Sequence, residues 1–227
     1  MNILFLDIET ISGGESYDML SPAMQHLRDK KASHRQKDSD LSSAELYEKK
    51  AGIFSEFGKI VCIVCWYESQ SDNTFFIKSF AWDDEKKLIW EFLDMINQLS
   101  SYILCGHNAK EFDIPYICRR ATLYGLSLPK VLDTRGAKPR EVNHKDTMEI
   151  RSFGDRKNFT SLALLCELFG IQTPKNDIDW SQVSQVYRKE KNLTRIVEYC
   201  KKDVVATAQV YHKLMGKSLP HWIIQEK

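Results

Sequence analysis

Residues 2–10 read NILFLDIET, an apolar run that meets two acids. Ile3, Leu4, Phe5 and Leu6 make an apolar run suited to a strand buried on both faces. The run leads directly into Asp7 and Glu9, which the period of two puts on one face. Two carboxylates a few ångströms apart in a partly desolvated place repel each other unless a proton or a cation holds them. A buried strand ending in this pair therefore predicts either open water or a metal. A strand that simply runs out into the polar Thr10, Ser12, Gly13 and Gly14 looks the same, so the choice rests on carboxylates elsewhere.

The 227 residues suit one largish domain, or one domain with an insertion, and 43% hydrophobic with 28% charged residues describes a soluble globular chain. A formal net charge of +1 excludes a broadly basic surface, although a basic groove beside an acidic metal site would cancel in the sum. No apolar run approaches the ~20 residues of a membrane span. The N-terminal run breaks at Asp7 and lacks a basic flank, so no signal peptide is expected and the cytoplasm is the expected location. Cys62, Cys65, Cys105, Cys118, Cys166 and Cys200 stand in apolar segments and read as small buried hydrophobes. The CIVC spacing of Cys62 and Cys65 lies within a strand-like run, where residues three apart face opposite sides. No second pair follows at zinc-site spacing.

Between about residues 12 and 56 the sequence is rich in charge, with helical patterns near 21–30 and 42–50. This predicts an insertion between core strands, a solvated surface excursion rather than a substrate lid. KIVCIVCWYE (59–68) and NTFFIKSFAW (73–82) predict an antiparallel hairpin around the turn-like SQSDN (69–73). A helix follows, capped by Asp83 or Asp84, with Leu88, Ile89, Phe92, Leu93 and Ile96 on one stripe. SYILCGHN (101–108) is a further strand. Helical patterns occupy 111–125, 160–170, 181–190 and 193–215, and a basic loop is expected across 130–150. This order predicts an α/β domain whose mixed sheet has three antiparallel strands first and a later strand parallel to the first.

Two more acidic features stand out. Asp113 follows Phe112 just after the strand at 101–108, where a helix begins and sites collect in such sheets. Tyr199 and Asp203, four apart, stack on one helix face. Asp203 interrupts a stripe of Ile196, Val197, Cys200, Val204 and Ala208, and burying it is costly unless something positive meets it.

Taken together, DIET, the N-x-x-x-F-D pattern of Asn108, Phe112 and Asp113, and the Y-x-x-x-D of Tyr199 and Asp203 resemble the DEDD superfamily of exonucleases in its tyrosine variant, with a ribonuclease H-like fold. The histidine variant needs His where this chain has Glu198. EFGKIVCIVCW (56–66), HKDTMEIRSFGDRKNFTSLALLCELFGI (144–171) and PKNDID (174–179) resemble bacterial and phage 3′–5′ exonucleases related to the proofreading domain of family B DNA polymerases. Trp180 departs from a glycine expected at that turn, which leaves the turn's shape in doubt. The likeness spans nearly the whole chain except the first insertion and implies a single domain over 1–227.

The resemblance implies two divalent ions, Mg²⁺ or Mn²⁺, held by Asp7, Glu9, Asp113 and Asp203. Asp7 would bridge both, Glu9 and Asp203 would hold the ion that activates water, and Asp113 the other. Tyr199 would orient or deprotonate the attacking water, while Thr10, Asn108 and Phe112 would bind substrate. Lys130, Arg135, Lys138, Arg140 and Lys145 are candidate phosphate contacts. The expected substrate is the 3′ end of a nucleic acid, single-stranded DNA foremost and RNA as the alternative. No polymerase domain is expected to follow, so a polymerase or repair protein is an expected partner and a membrane is not. The rival readings are a non-catalytic nucleic-acid-binding accessory protein and a structure-selective endonuclease on the same fold.

Overall fold

The computed structural model describes residues 2–33, 41–68, 75–99, 102–138, 141–155, 157, 159–172, 177–217 and 224–226. The apolar run at the N-terminus forms β1 (Asn2–Ser12), which continues past Glu9. Asp7 and Glu9 thus stand inside a strand, which corrects the reading of DIET as a strand end. The reason lies in its antiparallel pairing with β2 (Gly58–Glu68): Glu9 faces Cys62 and Thr10 faces Ile60, so Val61 bulges and the ladder runs on to Ser12 and Gly58. At the bulge the Ile60 N–H donates to the buried Glu85 carboxylate at 2.7 Å, which is itself paired with Arg120.

β2 pairs antiparallel with β3 (Phe75–Phe80), and β1 runs parallel to β4 (Tyr102–Gly106), the mixed sheet that the sequence predicts. The turn expected at 69–73 lies outside the described residues. Two short strands extend the edges, β5 (Lys145–Asp146) beside β4 and β6 (Ile224–Glu226) beside β3, giving the order β5-β4-β1-β2-β3-β6. β5 and the helix after it, α5 (Thr147–Ser152), end the expected basic loop early. A two-residue strand has no periodicity to read, so pattern could not reveal it.

Within the segment after β1, α1 (Pro22–Ser33) and α2 (Ser43–Lys50) fall near the predicted spans, and Ser42 and Glu45 cap α2 reciprocally. The segment is not a solvated excursion. Tyr47 and Ala51 are fully buried with Phe54 and Phe57, and Arg28 is buried as well. These anchors are spaced singly through charged sequence, so composition hides them.

Helices cover both faces of the sheet. On one, α3 (Glu85–Gln98), capped by Asp84, and α4 (Asp113–Leu123) bury Leu88, Phe92 and Ile117 against Leu4, Leu6 and Ile63. α6 (Leu162–Phe169) and α7 (Val183–Gln185), the latter continuing as a π-turn over Val186–Glu190, lead to α8 (Leu193–Leu214). α8 closes the other face with Ile196, Cys200 and Val204 on Phe5, Val64 and Trp66. Cys62 and Cys65 lie in different cores, as alternation predicts. Among the described residues no helix is long and apolar enough to cross a membrane.

Candidate active site

Beyond Phe5, the face of β1 covered by α8 turns from apolar to acidic. Asp7 and Glu9 follow on that face and line one cavity with Asp203 of α8, so carboxylates interrupt the second core, which resumes at Ile11. A cavity of about 270 Å³ opens at this place. The expected metal ligands, Tyr199 and the residues expected to bind the strand end all line it: Asp7, Glu9, Thr10, Asn108, Phe112, Asp113, Tyr199 and Asp203. Ile53, His107 and Trp180 line it too and were not foreseen.

Each side chain is held by a local device. β4 is shorter than β1 and pairs no further than Phe5 with Cys105, which leaves the Ile8 N–H beyond the ladder. The buried Asp113 carboxylate takes that proton at 3.0 Å, which ties the first turn of α4 to the strand between Asp7 and Glu9. The chain reaches α4 through a tight loop. A Cβ at Gly106 would meet the Ala109 side chain at 2.3 Å, so this close approach requires glycine. Asn108 adopts a left-handed φ of 64°, which asparagine tolerates better than most residues. The buried Asp146 carboxylate accepts the Asn108 N–H at 2.9 Å and the Lys110 N–H at 3.0 Å, and it also caps α5 through the Met148 N–H at 3.0 Å. Phe112 is half-buried against Tyr116, with ring centroids 5.4 Å apart, and still reaches the cavity.

The electrostatics are those of crowded acids. Burial, followed by the charges of Asp113, Glu9 and Asp203, raises the Asp7 carboxyl well above its ordinary range. Glu9 is raised by burial and then by Asp203. Burial lifts Asp113 to about 7 despite the N–H groups of Ile8 and of Asp113 itself, which favour its charged form. The charges acting most strongly on Asp7 and Glu9 are other acids and thiols, with no lysine or arginine among them. Ligand atoms of Asp7, Glu9 and Cys200 lie within 4.8 Å of one another. The Cys200 thiol, kept protonated by burial, donates to Asp7 Oδ2 at 3.3 Å. Tyr199 is raised by burial and then by Asp203, to whose carboxylate its hydroxyl is hydrogen-bonded.

Of the basic-loop candidates, Lys130, Arg135, Lys138 and Lys145 do not line this cavity, and Arg135 is paired with Asp133. Arg140 lies outside the described residues. The turn at Trp180 needs no glycine, because Trp180 is not among the residues of positive φ. Asp146 escaped sequence reading since its partners at Asn108 and Lys110 are remote in the chain and the helix it caps lay within the expected loop. Ile53 was missed because the charged segment around it masks one apolar side chain.

A family model described as a predicted 3′–5′ exonuclease related to the exonuclease domain of PolB matches residues 53–218. The chain belongs to this family. The matched span holds Asp113, Tyr199 and Asp203, whereas Asp7 and Glu9 precede it. A DNA polymerase of Pyrococcus glycovorans is 23% identical over 138 residues, 56% of this chain and 18% of that protein. The structure of the family B DNA polymerase from the hyperthermophilic archaeon Pyrobaculum calidifontis superposes with a TM-score of 0.61 at 17% identity, over 95% of this chain and 24% of that one. The chain thus spans under a quarter of either relative's length, and the likeness establishes the expected ribonuclease H-like fold.

Proposed function

We propose that this chain is a metal-dependent 3′–5′ exonuclease acting on single-stranded DNA, and that residues 1–227 work as one domain into which roughly 12–56 are inserted. The observation that carries the reading is the gathering of Asp7, Glu9, Asp113 and Asp203 around one cavity with chiefly one another for charged neighbours. Such an arrangement is unfavourable unless protons or cations enter it. The donors are hard carboxylate oxygens, which fit Mg²⁺ or Mn²⁺ rather than zinc. The one soft candidate, Cys200, is committed as a donor to Asp7 and remains a thiol. Asp7, Glu9, Asp113 and Asp203 would hold two divalent ions, which when bound supply charge stabilisation to the attacking and leaving oxygens of phosphoryl transfer.

The chain's own groups do the rest. Burial and the neighbouring Asp203 favour the protonated form of Tyr199, which suits its hydroxyl to orient a water by hydrogen bonding. Phe112 presents a ring to the cavity for a base to stack on, a contact tolerant of sequence, as an exonuclease needs. Thr10 and Asn108 border the same space and suit contacts to the sugar and phosphate.

The test uses a 5′-labelled linear single strand and an internally labelled circular one of the same sequence, in Mg²⁺ or Mn²⁺ and in EDTA. The reading predicts stepwise shortening of the linear strand only, with metal only. Cleavage of the circle would point to an endonuclease, and tight binding of the linear strand without cleavage to an accessory protein. An RNA oligonucleotide alongside distinguishes the preferred polymer.

A further inference from the structure

Trp180 is the residue at which this chain leaves the pattern it otherwise resembles, and it stands 58% exposed while lining the carboxylate cavity. A single exposed aromatic is ordinary on a protein surface. This one is held as a tool would be. Ile178 before it and Val183 after it are buried in the core beneath α8. Between them Asp179 ties the turn: its side chain accepts from the Ser181 N–H at 2.8 Å, its carbonyl accepts from the Gln182 N–H at 2.9 Å, and its own N–H donates to Gln182 Oε1 at 3.0 Å. An indole on a turn fixed in this way loses little freedom on contact, which favours its use as a binding surface. Phe112, the ring that rests on Tyr116, lines the same cavity, and Ile53 adds an apolar side chain from the inserted segment.

We infer that Trp180 is a substrate-binding residue that, with Phe112, seats the 3′-terminal nucleobase while the carboxylates hold the adjoining phosphodiester. The inference rests on the exonuclease reading for its substrate. The chemistry of the walls singles out the occupant. A flat, polarisable group must meet two aromatic rings while a phosphate lies near acids able to take metal, and a nucleotide end satisfies both. Every base has a face to stack, so the seat reads the presence of a base more than its identity, with purines held best for their area.

The experiment compares wild type, Trp180→Ala and Trp180→Tyr on short single strands ending in either a 3′ purine nucleotide or a 3′ abasic residue. KM and kcat are measured in Mg²⁺, and affinity is measured by fluorescence anisotropy in Ca²⁺. Wild type should prefer the base-bearing end. Trp180→Ala should weaken affinity and raise KM for that end by about tenfold, leave the abasic end where it was, and so reduce the preference to what Phe112 alone supplies. Trp180→Tyr should restore most of it. Equal weakening of both ends in Trp180→Ala, or an unaltered preference, would overturn the inference. A wild type that binds with the preference yet cuts neither strand would refute the nuclease reading and leave Trp180's role standing. One that cuts both ends equally well would do the reverse.

Discussion

Asp113 shows what burial does to a carboxylate of the site. Unfolded, it titrates near its ordinary 3.8; folded, at about 7. Between these values the folded chain holds the extra proton, so the stability it contributes is present at low pH and lost as pH rises through about 7, at roughly 1.4 kcal/mol per pH unit for each proton. Asp7 and Glu9 act in the same direction. Buried His107 and His144, whose imidazoles are held below their ordinary range, act oppositely, gaining stability as pH rises through about 6.5. The carboxylate effect is therefore read as the difference between wild type and Asp113→Asn. In EDTA, melting curves should show wild type losing stability relative to Asp113→Asn from pH 5 to 8, and Mn²⁺ should reverse the loss; a constant difference would contradict this. At the same scale, Tyr199 and Asp203 separate by task. Mn²⁺ calorimetry should show Asp203→Ala losing metal affinity and Tyr199→Phe keeping it, while single-turnover cleavage by Tyr199→Phe slows by about a hundredfold or less. Equal loss of metal in both would make Tyr199 structural. These acids were legible because spacing alone puts Asp7 with Glu9 and Tyr199 with Asp203. Cys200 and Asp146 were not, since a thiol in an apolar stripe and an aspartate before a short helix have ordinary local explanations, and their partners are distant in sequence.

The elements explain why the acids meet. β1 outruns β4, and the freed Ile8 N–H draws Asp113 to the strand. A bulge carries β1 past its acids instead of ending there, a detail that alternation in a single strand cannot disclose because it belongs to the partner. The loop before α4 depends on Asp146. Asp146→Ala would leave the Asn108 and Lys110 N–H groups without their acceptor, costing about 1–3 kcal/mol for each that stays unsatisfied. The same change should lower kcat by shifting Phe112 and Asp113, measured by urea titration alongside turnover; unchanged values of both would sink this account of the loop. The longer helices and the hairpin strands were legible from periodicity, with Asp84 capping α3 as its type suggests, whereas the short α5 was not. The segment after β1 was misjudged because its anchors, Tyr47 and Phe54, are isolated in charge-rich sequence. Since its last turn delivers Ile53 to the cavity, Ile53→Ala should raise KM for a short oligonucleotide by a few-fold. An unaffected KM would return the segment to a purely structural role.

At the scale of the whole molecule, the sheet separates two cores; the acids of β1 and α8 interrupt the second, and Asp113 reaches them from α4. Face assignment was therefore the decisive step from sequence to site: Leu4, Leu6 and Ile8 turn to α3 and α4, whereas Phe5, Asp7 and Glu9 turn to α8. The near-neutral net charge of +1 is compatible with the proposed function, in which nucleic acid is gripped at one cavity and not over a basic surface. The central claim is that these carboxylates hold metal in order to shorten a nucleic acid from its 3′ end. The measurement that tests it most directly is the product ladder from a 5′-labelled single strand in Mg²⁺, comparing wild type with Asp7→Asn after both are shown to be folded. The account predicts stepwise 3′ shortening by wild type and a rate at least about a thousandfold lower in Asp7→Asn. The same ladder at the same rate from folded Asp7→Asn would contradict it.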